Sequence, residues 1–219
     1  MIVQRRRADE LSFFRHGETK YNQKKLVSGQ HDTMLSARGR SEAAFLSDKL
    51  QKPISLLACS ALTRAIETME LSVPSAVRST VPIVIDRRLN EVNLGVLQGR
   101  KAEFIQQFAD GDLDWAPAGG ESYKEAARRV FSAVVDLFDR LAEIGSAPRS
   151  GAVFCHAGVM RIIGTLIDEH SESRNVFKSS AKNLECLAIS TTRLRLPAFW
   201  RGGNENRGQK RDLIGDSRG

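Results

Sequence analysis

Cysteine is scarce in this chain, with only Cys59, Cys155 and Cys186. Three thiols cannot all pair, and none stands at metal-ligand spacing from another. That argues against a disulfide scaffold and a cysteine-built zinc site, and reduced thiols in a cytoplasmic protein are expected. Long apolar runs are missing too. Nothing approaches the roughly 20 residues of a membrane-spanning helix, and the first residues lack the apolar stretch of a secretory signal, so no membrane association is expected. Aromatic residues make up 6% of the chain, and none interleaves with Arg5-Arg6-Arg7. A base-stacking platform would need them, so the triplet reads as a solvated flank and no nucleic-acid partner is expected. A nucleotide-binding loop and internal repeats are also absent.

What is present is an ordinary globular composition over 219 residues, 41% hydrophobic and 27% charged, enough for one sizeable core. The net charge of +7 is spread along the chain rather than blocked, which leaves an anionic substrate as one use for it. Short apolar runs alternate with longer amphipathic ones. Strands are expected over Leu11–Arg15, Ile54–Cys59, Val81–Ile85, Gly151–Cys155 and Leu184–Leu196, the last as an edge strand or hairpin arm. Helices are expected over Arg38–Leu50, Leu62–Leu71, Tyr123–Glu143 and Val159–Ile167, with a weaker pattern over Gly99–Ala109. Ser122 and Glu125 form a capping-box pattern, after which Val130, Val134, Leu137, Phe138 and Leu141 mark one buried face. The alternation predicts an α/β fold of three layers, a mostly parallel sheet with helices on both faces. Residues 1–200 read as one catalytic domain and residues 201–219, with five glycines and few apolar side chains, as a disordered tail.

Polar residues gather at four strand ends or turns. They are Arg15-His16-Gly17-Glu18-Thr19, followed by Asn22 and Ser28-Gly29; Ser60 to Ala65 with Arg64; Leu89-Asn90-Glu91 ahead of Gly95 and Gln98-Gly99; and Cys155-His156-Ala157-Gly158-Val159-Met160-Arg161. Strand carboxyl ends face the ligand crevice of an open α/β sheet. Each segment alone is a weak signal, since a strand-end histidine is usually structural and a helical arginine usually solvated. Together they suit phosphoryl transfer. The transferring group spreads charge over three equatorial oxygens, so catalysis is mainly positioning and electrostatics, and arginine forks match those oxygens. A neutral imidazole can serve as nucleophile and a carboxylic acid can protonate the leaving oxygen, with no metal or other cofactor required.

These segments resemble the histidine phosphatase superfamily, also called the phosphoglycerate mutase-like family, over about Leu11 to Arg161. The resemblance implies a phosphoglycerate mutase-like fold and His16 as the residue that becomes phosphohistidine. It implies Arg15, Arg64 and His156 as ligands of the phosphoryl oxygens and Glu91 as proton donor. Asn22 matches a pocket-lining position, and Ser28 and Gly29 fall where mutases contact substrate. The expected partner is a small phosphorylated substrate: a sugar phosphate, a phosphoglycerate or a cobamide-type intermediate. A homodimer is left open.

The branch is read from mixed signs. Leu89-Asn90-Glu91 and Leu97-Gln98-Gly99 resemble the mutase form. The short span from Gly99 to Gly120, the Gly119-Gly120-Glu121-Ser122 segment and His156-Ala157-Gly158-Val159-Met160-Arg161 resemble the phosphatase form, which is the reading adopted. A cofactor-dependent phosphoglycerate mutase and a non-catalytic phosphate-binding relic are the alternatives. Departures from the pattern are Cys155 for serine, Ala157 for glycine, Tyr21 for tryptophan and Leu94 for an aromatic. Cys155 is expected to be packing, because adjacent strand residues point to opposite faces. Lys101, Phe104, Phe108 and Trp115 fall in the family's lid region. Lys101 is expected to be solvated, and Trp115 to line the pocket or pin a loop.

Overall fold

Five short apolar runs become five strands of one sheet; the inner strands bury side chains on both faces, while the outer two are largely exposed. A computed structural model describes residues 9–50, 53–101, 112–145, 149–167, 182–191 and 198–200. The strands are β1 (Glu10–Arg15), β2 (Leu56–Cys59), β3 (Ile83–Ile85), β4 (Ser150–Cys155) and β5 (Cys186–Ser190), in the order β3-β2-β4-β1-β5. The first four run parallel, and β5 closes the β1 edge antiparallel. The expected sheet is therefore present, with its edge strand where the polar run was placed. Residues 192–196 of that expected strand lie outside the described residues, as does the tail 201–219.

The helices that matter for the site are α1 (Lys20–Gln23), α2 (Ala37–Ala44), α3 (Thr63–Ser72), α4 (Ser75–Arg78), α5 (Tyr123–Glu143) and α6 (Ala157–Gly164). α5 matches its expected span, and its capping box forms: Glu125 N donates to Ser122 Oγ over 3.1 Å and Ser122 N to Glu125 Oε2 over 2.8 Å. Its stripe from Val130 to Leu141 packs with Leu11, Phe13, Val153 and Cys155 on one face of the sheet. Phe14, Leu57, Cys59 and Phe154 point to the other face, against Ala65 and Met69 of α3. Each buried Val, Leu, Phe or Met side chain here contributes on the order of 1.5–3 kcal/mol.

Several bounds differ from expectation. The helix expected over Arg38–Leu50 starts one residue earlier, where Ser36 Oγ accepts from Gly39 N, and gives way after Ala44 to a 3₁₀ turn over Phe45–Lys49. α6 begins at Ala157, two residues before its first branched apolar residue, because His156 is the N-cap and small residues leave no periodic signal. Its end tightens into i→i−3 bonds through Ile167. β2 and β3 start two residues late. α1 and α4, four residues each, are too short to carry a periodic pattern. Of the helix expected over 99–109, residues 102–109 lie outside the described residues. Gly99 to Lys101 are not helical but pair with Val27 and Leu26: Gly99 N donates to Val27 O and Val27 N to Arg100 O. Among the described residues no helix is long and apolar enough to cross a membrane.

Candidate active site

β1 and β4 are neighbours in register, Arg15 opposite Cys155, so the residues that follow them leave the sheet side by side. His16 N donates to Cys155 O over 3.0 Å, and the His16 and His156 rings lie 5.2 Å apart between centroids. Ser60 follows β2 and donates its N–H to Phe154 O, while Asp86 after β3 reaches Cys59 O. Residues from four strand ends thus meet at one edge of the sheet.

His16 is 2% exposed. Its Nδ1 lies 2.7 Å from Gly17 O, and a carbonyl can only accept, so Nδ1 carries the proton and Nε2 keeps its lone pair. Burial, then the Arg64 and Arg15 cations, hold its pKa well below the ordinary 6.5, so the ring is neutral. The turn beneath it is fixed: Gly17 N donates to Thr68 Oγ1 over 3.0 Å, and Thr68 Oγ1 in turn donates to Arg64 O. A Cβ at Gly17 would stand 2.8 Å from Gly39 O, so glycine lets this turn lie against α2.

His156, fully buried, is held by its other nitrogen. Nε2 lies 2.7 Å from Ser60 Oγ, whose proton goes to Asn90 Oδ1 at 2.9 Å. Ala61 N also donates to that oxygen, which fixes the carboxamide's orientation. Ser60 Oγ can then only accept from the ring, so Nε2 is protonated. Nδ1 is left buried and without a partner. Burial, then Arg64, His16 and Arg15, depress this pKa strongly as well.

Arg64, in the first turn of α3, is fully buried. Nη1 donates to His31 O over 2.9 Å and Nη2 to Gly29 O over 2.6 Å, while Nε is unpartnered. Burial pushes its pKa down to about 10, partly offset by Glu91 and Asp32, which leaves it cationic at neutral pH. Ser28 Oγ, beside Gly29, is a third buried polar atom without a partner. Gly29 has φ +49°, which favours glycine, and a Cβ there would overlap Gln98. Arg15, half-buried, is lowered by burial and raised by Glu91. Asn22 Oδ1 is committed to Thr19 N at 3.1 Å and Asn183 Nδ2 at 3.3 Å, so any contact from Asn22 to an anion falls to its own Nδ2.

Glu91 follows a 3₁₀ turn after β3. Its Oε1 accepts from Val92 N at 2.9 Å and Gly158 N at 3.0 Å, so the carboxylate sits against the first turn of α6. A Cβ on Gly158 would lie 2.3 Å from Oε1, and that approach requires glycine. The expected residues Arg15, His16, Arg64, Glu91 and His156 are therefore brought together, with Ser28, Gly29 and Asn22 at the margin. Ala157 is the first residue of α6 and does not have positive φ. Cys155 is buried in the core, and burial raises its thiol pKa well above the ordinary range, as packing requires. Lys101 is exposed and Trp115 half-buried against the core; Phe104 and Phe108 lie outside the described residues. Sequence reasoning missed Asn183, whose Nδ2 also donates to His16 O over 2.9 Å, and it gave no role to Thr68 or Asn90 within their motifs. Asn183 is 167 positions from His16, and no local pattern marks it. Among the described residues no group of three or more His, Cys, Asp and Glu side chains could hold a metal ion.

Residues 11–196 match the model of the histidine phosphatase superfamily (branch 1). A glucosyl-3-phosphoglycerate phosphatase of Mycolicibacterium vanbaalenii is 35% identical over 70% of this chain and 72% of its own. A 2,3-bisphosphoglycerate-dependent phosphoglycerate mutase 2 of Gloeobacter violaceus is 29% identical over 74% of this chain and 76% of its own. The solved mycobacterial glucosyl-3-phosphoglycerate phosphatase in complex with VO3 superposes with a TM-score of 0.71 at 28% identity, covering 83% of this chain and 90% of that one. The chain belongs to the histidine phosphatase superfamily.

Proposed function

We propose that this histidine phosphatase superfamily member is a metal-independent phosphoric monoester hydrolase working through a phosphohistidine on His16. The observation that carries the reading is the pairing of the two imidazoles: one keeps Nε2 unprotonated, and the other keeps a buried, unpartnered Nδ1 beside the cation Arg64. Buried polar atoms without partners are costly; a bound phosphoryl dianion would accept from Arg64 Nε directly and from His156 Nδ1 once that nitrogen takes up a proton.

His16 Nε2 attacks phosphorus as the ester P–O bond breaks. Arg15, Arg64 and His156 hold the equatorial oxygens, with Ser28, Gly29 and Asn22 binding at the margin. The leaving oxygen takes its electron pair and a proton from Glu91. Water then attacks phosphohistidine, passing its proton to the Glu91 carboxylate and restoring neutral His16. Arginine and imidazole supply the charge stabilisation, so the chemistry calls for no metal.

The substrate class is a small phosphate monoester, and the names of the relatives make a phosphorylated glyceric acid derivative a first choice. A cytoplasmic location is part of the proposal, supported by the chain's few cysteines, of which Cys59 and Cys155 are buried thiols. The mutase relative keeps isomerisation as the second possibility. Phosphate release from a panel of small esters, with EDTA present and vanadate as inhibitor, tests hydrolysis. Incubation with 3-phosphoglycerate separates the two, since free phosphate supports the hydrolase and isomer formation overturns it.

A further inference from the structure

Glu91 lies in a stretch without regular secondary structure, Asn90 to Leu94, whose carbonyls have no sheet or helix to receive them. Arg129, on the second turn of α5, donates to them instead. Its Nη1 donates to Arg88 O and Asn90 O, both at 2.7 Å, and Nη2 to Glu91 O at 3.0 Å. Nη2 and Nε also hold Glu121 Oε1 and Oε2 at 2.5 and 3.0 Å. All five N–H donors of a guanidinium are thereby used. Glu121 fastens the far side of Glu91, taking Asn93 N on Oε1 at 2.8 Å while its own N–H donates to Asn93 O at 2.9 Å. Gln30 Nε2 adds a donor to Glu91 O at 3.0 Å.

A surface Arg–Glu pair is usually worth little. Here the side chains are only 20% and 18% exposed, and three of the guanidinium's bonds go to main chain on one short segment. The helix that carries Arg129 is fixed by Ala126, Ala127, Val130 and Val134 in the core. The Glu91 backbone is thus anchored to α5 while its carboxylate rests on α6.

We infer that Arg129 and Glu121 are positioning residues for Glu91: the guanidinium ties the carbonyls of residues 88, 90 and 91 to α5 and so sets the reach of the Glu91 carboxyl group to the leaving oxygen. This rests on the reading of Glu91 as proton donor. Arg129 has no donor left to offer a substrate, since all of its N–H groups are committed within the protein. A shift of about 1 Å in a catalytic group can cost on the order of 100-fold in rate, so a clamp on the backbone is felt in the chemistry.

A leaving oxygen's need for a proton separates this role from simple stabilisation. 4-Nitrophenyl phosphate releases an acidic phenol that departs without help, whereas a primary alkyl phosphate such as glycerol phosphate does not. The ratio of kcat/KM for the two esters is measured for wild type, Glu91→Gln, Arg129→Lys, Glu121→Gln and the double variant Arg129→Lys/Glu91→Gln. Lysine keeps the charge but cannot span the acceptors, and Glu121→Gln keeps the volume should Arg129→Lys fail to fold. Arg129→Lys and Glu121→Gln are expected to lower the alkyl ester by roughly tenfold or more relative to the aryl ester, in the same direction as Glu91→Gln. The double variant should be no more selective than Glu91→Gln alone. Equal losses on both esters in the clamp variants, or none, with a selective Glu91→Gln, would overturn the inference alone. An unselective Glu91→Gln would remove the proton-donor reading and the inference with it.

Discussion

His16 and His156 stand at matching positions, each one residue beyond a parallel strand and each beside an adjacent neighbour in the sheet. They differ in which nitrogen is tied. His16 gives Nδ1–H to its own turn at Gly17 O, which leaves Nε2 as a lone pair. His156 gives Nε2–H to Ser60, which leaves Nδ1. On the proposed mechanism the same residue type at equivalent strand ends is set to two tasks by a neighbour on the ring, one to attack and one to receive a proton and donate it to a phosphoryl oxygen. Burial and shared cations hold both rings neutral.

Several measurements sharpen or break that contrast. His16→Ala should reduce turnover of an aryl phosphate by more than about 10⁴-fold, since the residue acts in a unit with the rest of the machinery, whereas His156→Ala should cost about 10²–10³-fold in kcat, the range for losing one charge-stabilising donor. Equal losses would erase the division of labour. Gly158→Ala pushes a methyl into the Glu91 carboxylate, and kcat on an alkyl ester should fall about 10²-fold or more.

Proton linkage separates the rings further. Vanadate or phosphate binding should be accompanied by proton uptake, because His156 Nδ1 must gain a hydrogen to donate to the anion while His16 need not. Calorimetric titration in buffers of differing ionisation enthalpy reads the number of protons, and uptake should vanish in His156→Gln. In the free protein both pKa values lie below the unfolded value near 6.5. Above that pH neither state is protonated at these rings and their contribution is constant. As pH falls below about 6.5 the unfolded chain takes up protons that the folded rings refuse, so stability should decline by up to about 1.4 kcal/mol per pH unit for each ring. Denaturant melts across pH 5–7, with and without vanadate, check the sign. The smallest effect belongs to the cap: Ser122→Ala should lower stability by about 1 kcal/mol and leave the kcat ratio between esters nearly unchanged.

Much of this was legible in the sequence because the chemistry sits where apolar runs stop. The strand ends before His16 and His156, the capped start of α5 and the alternation of elements are local signals, and each survives in the fold. What supports the site is not local. Asn183 reaches His16 O from a distant segment, Arg129 looks like one more polar residue on an amphipathic helix, and the role of Ser60 depends on Asn90 taking its proton. Small residues also hide: Gly158 reads as a weak helix former, and only the Glu91 carboxylate beside it gives the position its meaning. The family resemblance already implied different tasks for the two histidines; the hydrogen bonds that set their tautomers are what strand spacing cannot express.

Rapid acid-avoiding quench during turnover of a radiolabelled phosphate ester, followed by peptide mapping, tests that assignment directly. A phosphoryl group on His16 at Nε2, appearing and decaying fast enough to account for turnover, is the predicted result. A phosphoryl group on His156 or Cys155, or undiminished turnover in His16→Ala, would contradict it.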